Sequence, residues 1–241
     1  MITLALDSCY DACSAALASK DGVILASAFE PMSMGHAERL VPMVDDIVSE
    51  AGIAYSDIGT IAVTNGPGTF TGTRIGVAAA RAFALALEKP LIGETSLAVM
   101  AEVIAADLPT KSSEDLDDVN ILVATDARRG EVYAQLFQAA GIKARTDPMV
   151  ITPADAAEML NEGASTILAG SGAESIAATK QSPNGKIRLG PVDLLPNAAN
   201  LAIRVAQGRT LAEPSQKIAP LYLRPADAKP QSGKSIPRIS P

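Results

Sequence analysis

Hydrophobic positions along the first ninety residues switch between two periods. Ile2, Leu4 and Leu6 alternate with polar or small neighbours, residues 13–18 form a second apolar run, Lys20-Asp21-Gly22 signals a turn, and residues 23–29 form a third run. Three antiparallel strands are predicted to open the chain. Leu40, Val41, Val44, Ile47, Val48 and Ala51 then recur at helical spacing, with Glu38, Asp45, Asp46 and Glu50 between them and Gly52 as the stop. Pro42 either marks the first turn of that helix or kinks it. Next come a strand over residues 60–65, a glycine-rich loop, a helix of about fifteen residues ending at Leu87, and a strand over residues 90–94. This is a βαβ unit, which requires parallel strands and a right-handed crossover. Ser96 is placed to cap a further helix through Ala106.

The polar segment 109–118, with Ser112, Ser113 and four acids, reads as a linker. After it the opening pattern recurs. Residues 119–125 form a strand, Asp126-Ala127-Arg128-Arg129-Gly130 a turn, and residues 131–138 an alternating strand with Val132, Ala134 and Leu136 on one face. Thr152-Pro153-Ala154-Asp155 has the form of an N-cap with Pro at the first helical position, starting a helix to Leu160. A short strand over 166–169 ends at Gly170-Ser171-Gly172, and residues 198–206 form a helix. Two halves that each begin strand-turn-strand and then alternate helix and strand suggest a duplicated α/β fold. The expected division is 1–108, then 109–225 with its last helix able to pack back on the first domain, then a basic, flexible tail over 226–241.

Composition narrows the chemistry. Of 241 residues, 48% are hydrophobic but only 3% aromatic, which indicates a globular chain with an aliphatic core. Two cysteines, Cys9 and Cys13, supply no disulfide framework, and their spacing fits neither a zinc knuckle nor a redox pair, so a reducing, cytoplasmic setting is expected. No apolar run reaches the roughly 20 residues of a membrane span, and no basic leader precedes the first strand. The single histidine, His36, excludes histidine-rich metal sites and leaves one candidate base for any activated Ser or Cys. Net charge is −7 but unevenly spread: from position 216 onward five basic residues face one acid, so residues 1–215 carry −11. So acidic a body does not hold nucleic acid by its mean charge.

Several residues could carry chemistry. Asp7 and Asp126 sit at equivalent strand ends, where paired aspartates facing a cleft could serve a phosphate and magnesium; alternatively each simply accepts amide hydrogen bonds from its own turn. In Asn65-Gly66-Pro67-Gly68-Thr69-Phe70-Thr71-Gly72-Thr73-Arg74-Ile75-Gly76 the glycines permit a tight strand-to-helix connection, and the helix start could take an anion. The segment matches neither a P-loop nor a dinucleotide fingerprint, so a purely structural turn remains open. Gly170 and Gly172 could approach an adenosine or form another such turn. His36, in Gly35-His36-Ala37-Glu38, reads as an exposed or capping residue rather than a metal ligand.

Taken together, Leu4-Ala5-Leu6-Asp7-Ser8, His36-Ala37-Glu38, the glycine-rich segment, Asp126-Ala127-Arg128-Arg129-Gly130-Glu131-Val132-Tyr133 and Pro220-Leu221-Tyr222-Leu223-Arg224-Pro225-Ala226-Asp227-Ala228-Lys229 resemble the bacterial TsaB (YeaZ) family, over essentially the whole chain. The resemblance implies a two-domain actin-like (ASKHA, ribonuclease H-like) fold with a duplicated mixed β-sheet and flanking helices. It implies a non-catalytic subunit of the tRNA threonylcarbamoyladenosine machinery, forming a homodimer alone and otherwise pairing with the catalytic paralogue TsaD, with TsaE as the ATPase. The metal and ATP would lie in those partners, with no cofactor of its own, and tRNA would be met indirectly through the complex. His36 stands where the first metal-binding histidine of the paralogue would be, and Leu40 where the second is looked for. The pairing surface is implied to be the first two helices, through His36, Leu40, Val44, Ile47, Val48, Arg74, Gly76, Ala79, Ala80 and Phe83. A vestigial or interface nucleotide site is implied at Asp7, Ser8, Asp126, Arg128, Gly130, Gly170 and Gly172. The competing readings are an ATP-binding phosphotransferase of the same fold and a glycoprotease-type metallopeptidase.

Overall fold

The structure is a computed structural model and describes residues 1–108, 116–160, 165–179, 186–210, 212–215 and 217–224. Most of the linker segment 109–118 and all of the tail 226–241 lie outside the described residues. Among the described residues two mixed sheets form. The first contains β1 (Ile2–Asp7), β2 (Ala12–Ser19), β3 (Ile24–Pro31), β4 (Ile58–Thr64) and β5 (Leu91–Glu94), in the order β3-β2-β1-β4-β5. The second contains β6 (Val119–Asp126), β7 (Val132–Gln138), β8 (Lys143–Ala144), β9 (Met149–Ile151), β10 (Ser165–Ala169) and β11 (Ile187–Leu189), in the order β11-β10-β6-β7-β8 with β9 also on β7. Each sheet opens with an antiparallel hairpin, β1–β2 and β6–β7, and continues with parallel neighbours, β4 and β5 or β10 and β11.

The helices are α1 (His36–Glu50), α2 (Phe70–Leu87), α3 (Ser96–Ala106), α4 (Pro153–Glu158), α5 (Ala173–Thr179) and α6 (Ala198–Ala206). Alternation along the strands sorts them into layers. Leu4, Leu6, Leu17, Ile61 and Val63 point to one face of the first sheet and pack beneath Leu40, Met43, Val44 and Ile47 of α1 and Val77, Ala80 and Ala84 of α2. The opposite face carries small residues, Ala5, Ala16, Ala18 and Ala62, against Ala198, Leu201 and Ala202 of α6. Removing bulk from that face lets helix and sheet approach closely. The second sheet receives Leu97, Met100 and Ala101 of α3 on one face and α4 and α5 on the other. Helix α3, from the first half of the chain, therefore lies on the second sheet, and α6, from the second half, lies on the first.

Local signals placed most boundaries. Thr69, Thr95, Thr152 and Asn197 cap α2, α3, α4 and α6 through their side-chain oxygens. The cap of α3 is thus Thr95 rather than the expected Ser96, whose hydroxyl instead donates to the Pro67 carbonyl at 2.5 Å. Pro42 lies inside α1 rather than at its start, on the exposed side of the helix. Its missing N–H withdraws a bond only from the carbonyl four residues earlier.

Between the sheets lies an ion-pair network. Arg204 of α6, 4% exposed, donates to Glu94 of β5 at 3.0 Å and to Glu102 of α3 at 2.6 Å, and Arg209 takes the other oxygen of Glu102 at 2.5 Å. Arg204→Met is expected to cost about 3 kcal/mol, because it strands buried carboxylates without their partner. The urea unfolding midpoint checks this, and adding Glu102→Gln should recover part of the loss.

Candidate functional site

The glycine-rich loop after β4 and the turn after β1 are pressed together. Thr69 donates its amide to the Cys9 carbonyl at 2.7 Å, and the Ser8 hydroxyl donates to the Gly72 carbonyl at 2.9 Å. A Cβ at position 68 would strike the Cys9 carbonyl, one at 72 the Ser8 carbonyl, and one at 76 the Ser8 hydroxyl. These glycines therefore admit the neighbouring backbone. Thr69 already occupies one of the free amides of the helix start, since its Oγ1 accepts from Gly72, the third residue of α2, at 3.1 Å. The glycine spacing thus serves a contact between two backbone segments, the structural reading of this loop.

Asp7 is fully buried, which corrects the expectation that it faces a cleft. Its Oδ1 accepts from the Thr64 hydroxyl and, at 3.4 Å, from the Cys9 amide. Its Oδ2 is buried with no hydrogen-bond partner among the described residues. Desolvation pushes its pKa up to about 7, against the lowering effect of Thr64 and Cys9. The same burial, with Asp7 beside it, pushes the Cys9 thiol far up, so neither group is a poised nucleophile. Asp126 lies at the end of β6 as expected, but it is exposed and accepts from the Arg128 amide at 2.8 Å, the turn-capping role.

The other nucleotide-site expectations fare similarly. Ser8 is buried in the contact just described. Gly170, with φ of +94°, and Gly172 lie against the backbone of Ala124, where a Cβ at position 170 would strike the carbonyl. Arg128 and Gly130 lie exposed on the β6–β7 turn. Of the seven, Asp7 and Ser8 are used in packing on the first sheet, while Asp126, Arg128 and Gly130 share one surface turn; the Gly170–Gly172 loop packs beside the base of that turn, the Asp126 amide donating to the Ser171 hydroxyl at 3.0 Å.

His36 is also corrected: it is 8% exposed and is the first residue of α1, whose cap is Gly35. Its Nε2 donates to the Tyr10 carbonyl at 2.9 Å, and because a carbonyl only accepts, the proton is fixed on Nε2. Tyr10 in turn meets Thr125 of β6 at 2.8 Å between hydroxyls, so His36 and Tyr10 tie α1 to the second sheet. One turn further on, Leu40 is buried in the core and offers no donor. These residues do not fit a metal, and among the described residues no three His, Cys, Asp or Glu side chains gather as a metal site.

Burial also revises the pairing residues. Leu40, Val44, Ile47, Val48, Gly76 and Ala80 are buried in the chain's own core with His36, because covering the first sheet takes most of the apolar band of α1. Ala79 and Phe83 are half-buried, Phe83 stacking on Tyr55, and Arg74 alone of the ten is exposed. The free surface of α2 consists instead of Phe70, Thr71, Arg74, Ala78, Arg81, Ala82, Leu85 and Ala86. A groove of about 490 Å³ runs along Arg81, Ala82, Ala84, Leu85 and Glu88.

A feature the sequence analysis missed is the path of residues 217–224. Leu221 donates to the Asn65 carbonyl at 2.6 Å, Ile218 packs into the first core, the Tyr222 hydroxyl accepts from Arg74 at 2.5 Å, and Arg224 pairs with Glu131 and donates to the Ala127 carbonyl at 3.1 Å. This strap runs from the glycine-rich loop to the β6–β7 turn, joining both sheets. The Arg204 network was missed too, although a lone acid in the apolar α3 and a lone arginine near the end of α6 were its signal.

Two mixed sheets that each open with a hairpin, with helices packed on both faces, define the two-lobed actin-like fold. A family model described as TsaD, tRNA N6-adenosine threonylcarbamoyltransferase, matches residues 29–220. The tRNA threonylcarbamoyladenosine biosynthesis protein TsaB of Escherichia coli is 39% identical over 138 residues, 57% of this chain and 55% of that protein. The chain thus spans about half the length of the curated TsaB relatives it matches. A Mycobacterium tuberculosis protein of unassigned role is 32% identical over 228 residues, 94% of this chain and 93% of its own. The solved structure of YeaZ from Pseudomonas aeruginosa superposes with a TM-score of 0.75 at 31% identity, covering 92% of this chain and 99% of that one. The chain belongs to the TsaB (YeaZ) family.

Burial of Asp7 has a measurable sign. Its folded pKa of about 7 lies above the ordinary 3.8, so as pH rises from 4 to 7 the unfolded chain releases a proton that the folded chain keeps. The Asp7 contribution to stability falls across that window, by on the order of 3 kcal/mol, and is level above it. Asp7→Asn should remove this slope, gaining on wild type between pH 5 and pH 8 in urea unfolding.

Proposed function

We propose that this chain is a non-catalytic subunit of the bacterial machinery that makes threonylcarbamoyladenosine in tRNAs reading codons that begin with A. It binds TsaD, the catalytic paralogue, and holds it in its active conformation, while TsaE hydrolyses ATP as the third subunit. Metal and ATP reside in the partners. Family membership supports the pathway. Support for the accessory role comes from His36, held on a backbone carbonyl with a buried leucine one turn later, and from the packing that takes up Asp7, Ser8, Gly170 and Gly172.

The observation that carries the partner-binding part is the outer face of α2. Leu85 is 77% exposed and stands with Ala78, Ala82 and Ala86 beside a groove, forming a smooth apolar strip flanked by Arg74 and Arg81. Small residues let a partner helix approach closely, and a large exposed leucine supplies the buried area at the centre of such a contact. Helix α1 contributes a narrower exposed face, with Val41 and Pro42 beside Asp45 and Asp46. A homodimer and the heterodimer use the same strip and compete for it.

Ala82→Glu combined with Leu85→Glu tests this surface. Both positions are exposed, so the variant should keep its melting temperature within a few degrees while losing TsaD in a pull-down and losing self-association in size-exclusion chromatography. A folded variant that still co-purifies with TsaD would show that the contact lies elsewhere. Ala80→Glu, in the core, should instead unfold the chain and serves as the contrast.

A further inference from the structure

The turn between β6 and β7 has an unusual backbone. Arg128, Arg129 and Gly130 are consecutive residues at φ of +62°, +58° and +74°. Glycine accepts this region freely, whereas a residue with a side chain adopts it at a cost, and two arginines in succession adopt it rarely. The turn is nonetheless firmly built. Asp126 caps the Arg128 amide, Ala127 donates to Glu131 at 2.9 Å, Glu131 donates to Arg128 at 3.1 Å, and Arg224 clamps the base from the strap. A fold that only needed to reverse direction here would be served better by glycine or asparagine. Strained non-glycine residues that the surroundings hold in place mark functional positions.

Two residues back along the strap is a second exposed feature. Tyr222 and Phe70, 49% and 59% exposed, lie with ring centroids 5.7 Å apart, and the Arg74 guanidinium sits 3.6 Å over the Phe70 ring. In a chain with eight aromatic residues, two exposed ones gathered around an arginine are conspicuous. Exposed rings beside cationic side chains, a short stretch of chain from an arginine turn, are what an unstacked base and its flanking phosphates require. The body of the chain is acidic, so such contact has to be local rather than driven by overall charge.

We infer that this surface touches the RNA substrate directly: the Arg128 turn contacts backbone phosphates, and the Phe70–Tyr222 pair offers a face to an unstacked base. The identity of the RNA as tRNA rests on the function proposed above. The direct contact goes beyond it, since tRNA was expected to be met only through the complex.

Fluorescence anisotropy of unmodified tRNA, with the full chain both alone and bound to TsaD over a series of salt concentrations, tests the inference. Arg128→Gly should weaken binding roughly fivefold and make the salt slope shallower by about one unit. Its melting temperature should stay level or rise, because glycine relieves the positive φ. Arg128→Lys should keep the slope. Tyr222→Ala should weaken binding with the slope unchanged, and Tyr222→Phe should bind as wild type. Unchanged affinity and slope in Arg128→Gly and Tyr222→Ala would overturn the inference, as would loss of TsaD from those variants, which would mark the surface as a protein contact. Failure of the wild-type chain to bind TsaD would count against the proposed function instead, and the tRNA titrations of the chain alone would still decide the RNA contact.

Discussion

The backbone of the turn after β1 lies directly against the first two turns of α2, with Gly68, Gly72 and Gly76 leaving just enough room for Ser8 and Cys9. Much else follows from that contact. It fixes the start of α2 against the β1 turn, and it covers Asp7, whose carboxyl is buried against Thr64. The same turn presents Tyr10 to two neighbours at once, Thr125 of the second sheet and His36 at the start of α1. With its inner face fixed in this way, α2 can expose only the opposite side, where Ala82 and Leu85 stand.

Residue types that suggest catalysis thus become structural. An aspartate at a strand end, a serine beside it, a glycine-rich loop at a helix start and a lone histidine are each used up by bonds within the chain. The glycines are the sharpest case. Glycine allows the backbone to approach a phosphate closely, but it equally allows the approach of another backbone, and only the neighbour present in the fold distinguishes the two.

Much of the architecture was legible in the sequence because period alone carries it. Leu4 and Leu6 against Ala5, and Ile61 and Val63 against Ala62, announce strands buried on both faces, and the repeated strand-turn-strand opening announces two lobes. What periodicity could not resolve was which apolar residues are covered by the chain itself. The residues Leu40, Val44, Ile47 and Val48, expected on a pairing surface, are absorbed by the first sheet, while Val41 of the same apolar pattern is exposed. The packing of α6 on the first sheet, the strap over residues 217–224 and the Arg204 network join positions about a hundred residues or more apart, and no local window reveals them. Charge in an otherwise apolar helix, as at Glu102, is the one trace they leave.

The two surfaces for which contacts are proposed, the smooth strip on α2 and the basic turn at positive φ between β6 and β7, both lie on the outside of this tightly packed interior. The central claim is that this chain supports chemistry performed elsewhere. Reconstitution of threonylcarbamoyladenosine formation from purified TsaD and TsaE, the threonylcarbamoyl donor, ATP and tRNA tests it most directly, with and without this chain. The account predicts little product without the chain, full product with it, and full product with the folded Asp7→Asn form. Equal product in its absence, or abolition of activity by Asp7→Asn in an intact complex, would contradict it.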